Sequence, residues 1–331
     1  MLGPDSISFI VDHPLQLERL IADDDASASA DPVSIYVKVN TGYARAGVTP
    51  ESDELATLLE AIAHCQRPSI KLLGFYSHLG TSYGVSTPDE ALDALHTEIE
   101  LAAQAADRTA GTRLADARLT ISVGATPTAA AAQNLVSGAA HRVKDLIRRV
   151  QQRYDVELHA GVYPLLDLQQ LATNARPQRS GSGAGGASMT STDIGIRVLA
   201  EVLSVYKERE KPEALIGGGT LVFSKDTCKS YEGYGIVTPC PWSGGRGDVS
   251  TYDEESRTGW IVGRIAQEHG ILVWEGERAG MRELRIGERV LVWPNHACIT
   301  GANFGWYLVV DSDGEGGSTK VVDVWTRARG W

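Results

Sequence analysis

Ile35-Tyr36-Val37-Lys38-Val39 is a short run rich in apolar and β-branched residues, and it gives way to Asn40-Thr41-Gly42-Tyr43-Ala44-Arg45-Ala46-Gly47. A run of that length closed by turn residues reads as a buried strand. A helix is expected from about Ser52 to His64, where Leu55, Leu58, Leu59 and Ile62 share one face. The same rhythm recurs on both sides. Ile7–Val11 precedes Leu15–Ile21, Leu72–Tyr76 precedes Pro88–Asp107, Leu119–Val123 precedes a helix after Pro127, and Val156–His159 precedes Leu166–Leu171. Short apolar strands alternating with longer helical stretches imply βα units on a parallel sheet. A complete (β/α)8 barrel needs eight such units in roughly 250 residues, and about five can be counted. The expectation is an α/β fold over residues 1–176: an open sheet, or a partial TIM barrel lacking about three N-terminal units. No internal repeat is visible.

Pro177–Thr192 is rich in Ser, Gly and Ala and reads as a flexible linker or insertion, residues 177–192. Beyond it the pattern becomes strand after strand. Arg197–Tyr206, Ala214–Phe223, Gly259–Ile265, Ile271–Trp274, Arg289–Trp293, Trp306–Val310 and Lys320–Trp325 are short apolar runs separated by turn-prone stretches. Residues 193–331 are therefore expected to form an antiparallel β domain.

The chain has 331 residues, 43% of them hydrophobic and 22% charged, which suits two soluble domains. A net charge of −11 argues against nonspecific binding to nucleic acid or an anionic membrane. Four cysteines, Cys65, Cys228, Cys240 and Cys298, are scattered without a CxxC pair, so a reducing, cytoplasmic setting is expected. Met1–Ser6 has neither the basic nor the apolar part of a signal peptide.

The candidate chemistry lies at strand ends, where the loops of a barrel build its active site. Gly124-Ala125-Thr126, before a helix opened by Pro127, offers backbone N–H groups and a hydroxyl to a phosphate, and Gly161-Val162 lies at the next strand's exit. Plain turn chemistry is the alternative for each, but two on neighbouring strands favour a phosphorylated cofactor. His78 can stack on an aromatic ring, and Tyr76 and Tyr83 can hydrogen-bond one; packing at a barrel rim is the alternative. Lys38 and Arg45 either brace a loop or hold an anion. Far along the chain, Trp293-Pro294-Asn295-His296-Ala297-Cys298 leaves a strand. In extended chain residues i and i+2 point the same way, so His296 and Cys298 can face one zinc ion and leave positions open for substrate. A packed His beside a buried Cys is the alternative.

These segments together resemble the fold-type III, alanine-racemase-like pyridoxal phosphate enzymes, and within them the eukaryotic D-serine dehydratase (D-serine ammonia-lyase) family. Lys38–Gly47 looks like their Lys-x-Asp-Thr-Gly-x-x-Arg-x-Gly strand, with Asn40 in place of Asp. Tyr76–Tyr83, Val123–Thr128, Glu157–Asp167, Ser224-Lys225-Asp226, Gln267–Gly270 and Pro294–Cys298 look like further segments of the family, so the resemblance covers nearly the whole chain. The related D-threonine aldolases carry His-x-Asp where this chain has His296-x-Cys298. The resemblance implies pyridoxal 5'-phosphate- and zinc-dependent elimination of D-serine to pyruvate and ammonia, and a homodimer. It implies that Tyr76, Tyr83, Thr126, Gly161 and Val162 lie at the cofactor, beside His78 and Gly124 read above, and that His159 stands where alanine racemases have an Arg beside the pyridine nitrogen. It implies His296 and Cys298 as metal ligands. The family's cofactor-anchoring lysine sits on its first barrel strand, and none of this chain's lysines matches that motif. The catalytic residue is therefore unassigned, and activity of the chain as it stands is expected to be impaired, as in a truncated gene product. A non-catalytic ligand- or subunit-binding relative, or an aldolase or racemase of the same fold, is the alternative.

Overall fold

A computed structural model describes residues 7–24, 33–65, 70–136, 140–177, 189–238, 240, 252–311, 313 and 320–328. By packing, the chain divides into two units. One comprises Met1–Gly161 with Thr173–Ser188, the other Val162–Ala172 with Met189–Trp331.

The first unit is a five-stranded parallel sheet in sequential order: β1 (Ser8–Val11), β2 (Val33–Lys38), β3 (Ile70–Tyr76), β4 (Thr120–Val123) and β5 (Asp155–Leu158). Helices α1 (Pro14–Asp24), α2 (Asp53–His64), α3 (Pro88–Asp107), α4 (Thr126–Ala131) and α5 (His141–Gln151) fall between or after them. This is the expected βα architecture, a partial TIM-like sheet. Ile35 and Val37 of β2 are fully buried, as are Phe75 of β3 and Leu58, Leu95 and Ile99 of the covering helices. The helix starts are set by side chains: Ser52 accepts the Leu55 N–H at 3.2 Å, and Thr87 accepts the Glu90 N–H at 3.2 Å ahead of Pro88. The helix after Pro127 differs from expectation. It stops after one and a half turns at Ala131, and α5 is a separate helix whose buried face is Val143, Leu146 and Val150. At the sheet edges Phe9, Ile10 and Leu158 are exposed.

In the second unit six antiparallel strands close a barrel in the order β10-β7-β6-β11-β8-β9: β6 (Val198–Tyr206), β7 (Glu213–Gly217), β8 (Gly235–Thr238), β9 (Gly259–Ile265), β10 (His269–Glu275) and β11 (Arg289–Pro294). Alternate residues point inward, so Val202, Ile216, Val262, Leu272, Val290 and Val292 fill its core, with Trp260 and Trp274 edge to face at 5.7 Å. The run expected as one strand from Ala214 to Phe223 ends at Gly217, because the Val222 and Phe223 N–H groups turn back onto the Gly219 carbonyl. A short helix α7 (Ala297–Ala302) follows β11, and β12 (Trp306–Val310) with β13 (Val321–Thr326) forms a separate hairpin exposing Trp306, Leu308, Val324 and Trp325.

Val162–Ala172 packs with this second unit. Leu166 adopts a positive φ of 55°, which delays helix α6 to Leu168–Thr173, and the Asp167 carboxylate accepts the Gln170 N–H at 2.9 Å. Leu166, Leu168 and Leu171 join one buried cluster with Ile236, Ile261 and Trp293. Most of the Ser- and Gly-rich stretch, residues 178–188, lies outside the described residues. At its end Met189 is buried in the same cluster and Ser191–Asp193 form a 3-10 turn. Among the described residues no helix is long and apolar enough to cross a membrane.

Candidate functional site

In the first unit the parallel register carries three strands to a common end, and there Tyr76, His78, Gly124 and His159 come together. The Tyr76 and His159 rings stack with centroids 4.3 Å apart and planes 5° from parallel, and His78 lies beyond, 6.5 Å from His159. The Ser122 hydroxyl donates to Glu157 at 2.7 Å, so at 3.1 Å it accepts from His159 Nδ1–H. That fixes the tautomer and leaves the lone pair on Nε2, which is buried and has no partner among the described residues. Burial drops the His159 pKa to about 4, with the neighbouring His78 adding to the effect, so the ring is neutral at pH 7. His78 donates from Nδ1 to the Gly124 carbonyl at 3.0 Å, and burial lowers its pKa too. Position 124 must be glycine: its φ is +149°, and a Cβ there would lie 2.0 Å from the His159 carbonyl oxygen.

The Gly124-Ala125-Thr126 turn is less free than its sequence suggests. The Ala125 N–H is taken by the Thr128 hydroxyl at 2.9 Å, and Gly124 is bonded to Glu98, a fully buried residue of α3. Glu98 also accepts the Leu79 N–H at 2.8 Å and the Thr128 hydroxyl at 3.2 Å. It thus ties the loop after β3 to the loop after β4. Burial pushes its carboxyl above the usual value, opposed by these bonds. Sequence reasoning missed Glu98. The signal was present, since it shares the apolar face of α3 with Leu95, Ile99 and Ala102.

Asn40 does what an Asp would do in its place: its Oδ1 accepts the Gly42 and Ala44 N–H groups at 3.0 Å each. Lys38 is 9% exposed, and its Nζ, 4.6 Å from the centre of the Tyr76 ring, has no hydrogen-bond partner among the described residues. With Asn40, Thr41, Arg45 and His78 it lines a small hollow. Burial brings its pKa down to about 8. The folded chain therefore binds this proton less tightly than the unfolded chain, and stability rises as pH climbs from about 8 towards 10.5. Lys38→Met should raise stability at pH 7 by up to about 3 kcal/mol and flatten that rise. Urea unfolding of both chains at pH 7 and pH 9.5 checks it; parallel pH profiles would refute it.

Tyr83 sits on the 3-10 turn Gly80–Gly84, half-buried, and Thr126 is buried at the start of α4. Gly161 is exposed at the end of the first unit, and Val162, 2% exposed, belongs to the second.

The second unit places His296 and Cys298 at the junction of β11 and α7. They do not both lie on extended chain. His296 is extended, with φ −135° and ψ 106°, but Cys298 is already in the first turn of the helix. The reason is next door: the Asp167 carboxylate accepts the Ala297 N–H at 2.8 Å and so satisfies one of the donors a helix start leaves over. His296 Nδ1 lies 2.8 Å from Asp226 Oδ2, and the Cys298 side chain is exposed. Partial desolvation of its sulfur by the surrounding residues and the Asp167 charge raise the Cys298 pKa, opposed by Arg327. Among the described residues no group of three or more His, Cys, Asp or Glu is arranged to hold a metal ion. A larger hollow, on the outer face of β9 and β10 beside Tyr252, Arg264 and Trp274, holds none of the expected residues.

Comparison with known proteins covers both units. Residues 4–144 match the alanine racemase N-terminal domain, and residues 195–310 match the serine dehydratase domain. The chain is 32% identical to a D-serine dehydratase of Schizosaccharomyces pombe over 98% of its own length and 68% of that protein. To a D-serine dehydratase of Saccharomyces cerevisiae it is 31% identical, over 92% of this chain and 64% of the other. The chain thus spans about two thirds of these relatives. Among solved structures, D-threo-3-hydroxyaspartate dehydratase from Delftia sp. HT23 superposes with a TM-score of 0.66 at 27% identity, covering 97% of this chain and 72% of that one. A cysteine-to-alanine variant of that enzyme, solved in a metal-free form, gives the same score.

Proposed function

The chain belongs to the D-serine dehydratase family, and on that premise we propose that it serves the β-elimination of D-serine to pyruvate and ammonia, with pyridoxal 5'-phosphate and zinc as cofactors. The observation that carries this reading is the His296–Cys298 pair, in a chain nearly a third identical to a D-serine dehydratase along almost its full length. The first unit's residues suit an aromatic cofactor. Tyr76 and His159 offer parallel ring faces, and Lys38 Nζ and His159 Nε2 are buried polar atoms without a hydrogen-bond partner among the described residues. Bound there, pyridoxal phosphate would supply an electron sink for the negative charge left at Cα. The neutral His159 keeps a second positive charge away from the ring, while Ser122 and Glu157 hold its orientation. In the second unit an imidazole and a thiol are a donor set that zinc accepts, and a bound zinc would polarise the substrate's β-hydroxyl as a leaving group. A homodimer belongs to the same proposal.

Two measurements test it. Zinc content of the purified chain should fall several-fold in His296→Ala and in Cys298→Ala; equal zinc in all three would sink the metal assignment. Pyruvate release by the chain joined to the family's lysine-bearing strand should favour D-serine over L-serine by orders of magnitude, because a base fixed on one ring face reaches the Cα proton of one enantiomer. Equal rates from both would overturn the proposal. The 28% identity to a D-threo-3-hydroxyaspartate dehydratase of Delftia sp. favours a second reading, a D-amino acid with an added β-carboxylate, and the same assay with that substrate decides between them.

A further inference from the structure

The Ser224-Lys225-Asp226 loop is held at more points than a surface loop needs. The Ser224 N–H donates to Thr300 Oγ1 at 3.1 Å, and the Asp226 N–H donates to Ser224 Oγ at 2.9 Å. Asn295 Nδ2 donates to the Asp226 carbonyl at 3.0 Å and to the Gly233 carbonyl at 2.9 Å. Ser224, Asn295 and Thr300 are all fully buried. The loop is thus tied to the residue before His296 and to the helix after it. What this framework presents is the Asp226 carboxylate, 2.8 Å from His296 Nδ1.

We infer that Asp226 is a positioning residue for the metal site: it holds the His296 ring with Nδ1–H facing the carboxylate, so that Nε2 is the metal donor. An ionised carboxylate only accepts, so the proton on this bond belongs to Nδ1 and the lone pair to Nε2. Of the two ring nitrogens, only the one bearing a lone pair binds a metal. The negative charge makes the imidazole a stronger donor, and the fixed ring gives up little freedom on binding. A site with two protein ligands gains more from such support than a closed one with four. The bond is also partly shielded from solvent, with side-chain exposures of 19% for His296 and 32% for Asp226.

This inference rests on the metal reading given above, and one set of titrations separates the two. Zinc dissociation constants are measured by chelator competition on the full 331-residue chain and its variants, with the metal-free melting temperature recorded for each. Asp226→Ala is expected to raise the constant roughly 10–100-fold. Asp226→Asn, whose amide oxygen still accepts from Nδ1–H, should restore part of the loss. Lys225→Ala should leave it unchanged. Because Asp226 acts through His296, Asp226→Ala should weaken zinc no further once His296→Ala is present. Unchanged affinity in both Asp226 variants overturns the role of Asp226 alone, as does an equal loss with or without His296. Zinc binding that ignores His296→Ala overturns the metal reading, and the inference with it. If the Ala variant fails to fold, Asp226→Asn and its cycle with His296→Ala decide the question.

Discussion

The 331-residue chain alone is expected to release little or no pyruvate from D-serine, and the chain joined to the lysine-bearing strand of its family should release it faster by orders of magnitude. The reasoning rests on what each part supplies. Under the proposed function the residues of the two units would bind the cofactors and polarise the leaving group, whereas the lysine that the family resemblance implies as covalent anchor and base has no match among this chain's lysines. Among the described residues Lys38, with a pKa near 8, is the lysine at the stacked rings of the first unit, and its ammonium faces Tyr76. Pyruvate assays on both chains, followed by borohydride trapping and peptide mapping, read the result. Robust turnover by the short chain, with the cofactor trapped on Lys38 or another of its own lysines, would show that the anchor lies within these residues.

Glu98→Ala should cost about 3 kcal/mol or more of stability, among the largest single effects in the chain. It strands the Leu79 N–H in the core along with the Gly124 N–H, at roughly 1–3 kcal/mol for each donor left unpaired, while the Thr128 hydroxyl keeps its bond to the Ala125 carbonyl. Weaker pyridoxal phosphate binding is expected too, because the loops of His78 and Gly124 lose their common tie. Glu98→Gln keeps an acceptor and should lose less. The pH dependence has a definite sign. A carboxyl whose pKa is raised on folding binds its proton more tightly in the native chain, so stability declines as pH rises past the ordinary carboxylate range. The Gln variant should lack that decline. Urea unfolding at pH 4.5 and pH 7 checks both statements; a loss below 1 kcal/mol in Glu98→Ala would refute the first.

The parallel sheet was legible because most of its strands are local apolar runs with a helix behind them, as at Ile35–Val39 and Ser52–His64. Strand β8 was not: four residues between Tyr234 and Pro239 carry too little pattern, and their pairing with β9 and β11 is non-local. Closure of the barrel depends on further non-local pairings, β6 with β11 and β7 with β10, while β6–β7 and β9–β10 join consecutive strands. His296 and Cys298 were readable because they are neighbours. Their expected i, i+2 geometry was not, since the helix begins at Ala297 through a carboxylate 130 positions earlier. Asp226 acts across 70 positions and Glu98 on a loop 19 positions before it, so neither role shows in spacing alone.

The allegiance of Val162–Ala172 to the second unit bears on how the protein is made. On a ribosome Leu166, Leu168 and Leu171 emerge well before Ile236, Ile261 and Trp293, the partners that bury them. At 5–20 residues per second the wait is roughly ten seconds. During it a leucine-rich segment has no home. A fragment starting at Met189 would be synthesised without those leucines, leaving Trp293 and Ile236 uncovered, so the C-terminal barrel is a poor candidate for separate expression, whereas a circular permutant that delivers Val162–Ala172 last would shorten the exposure.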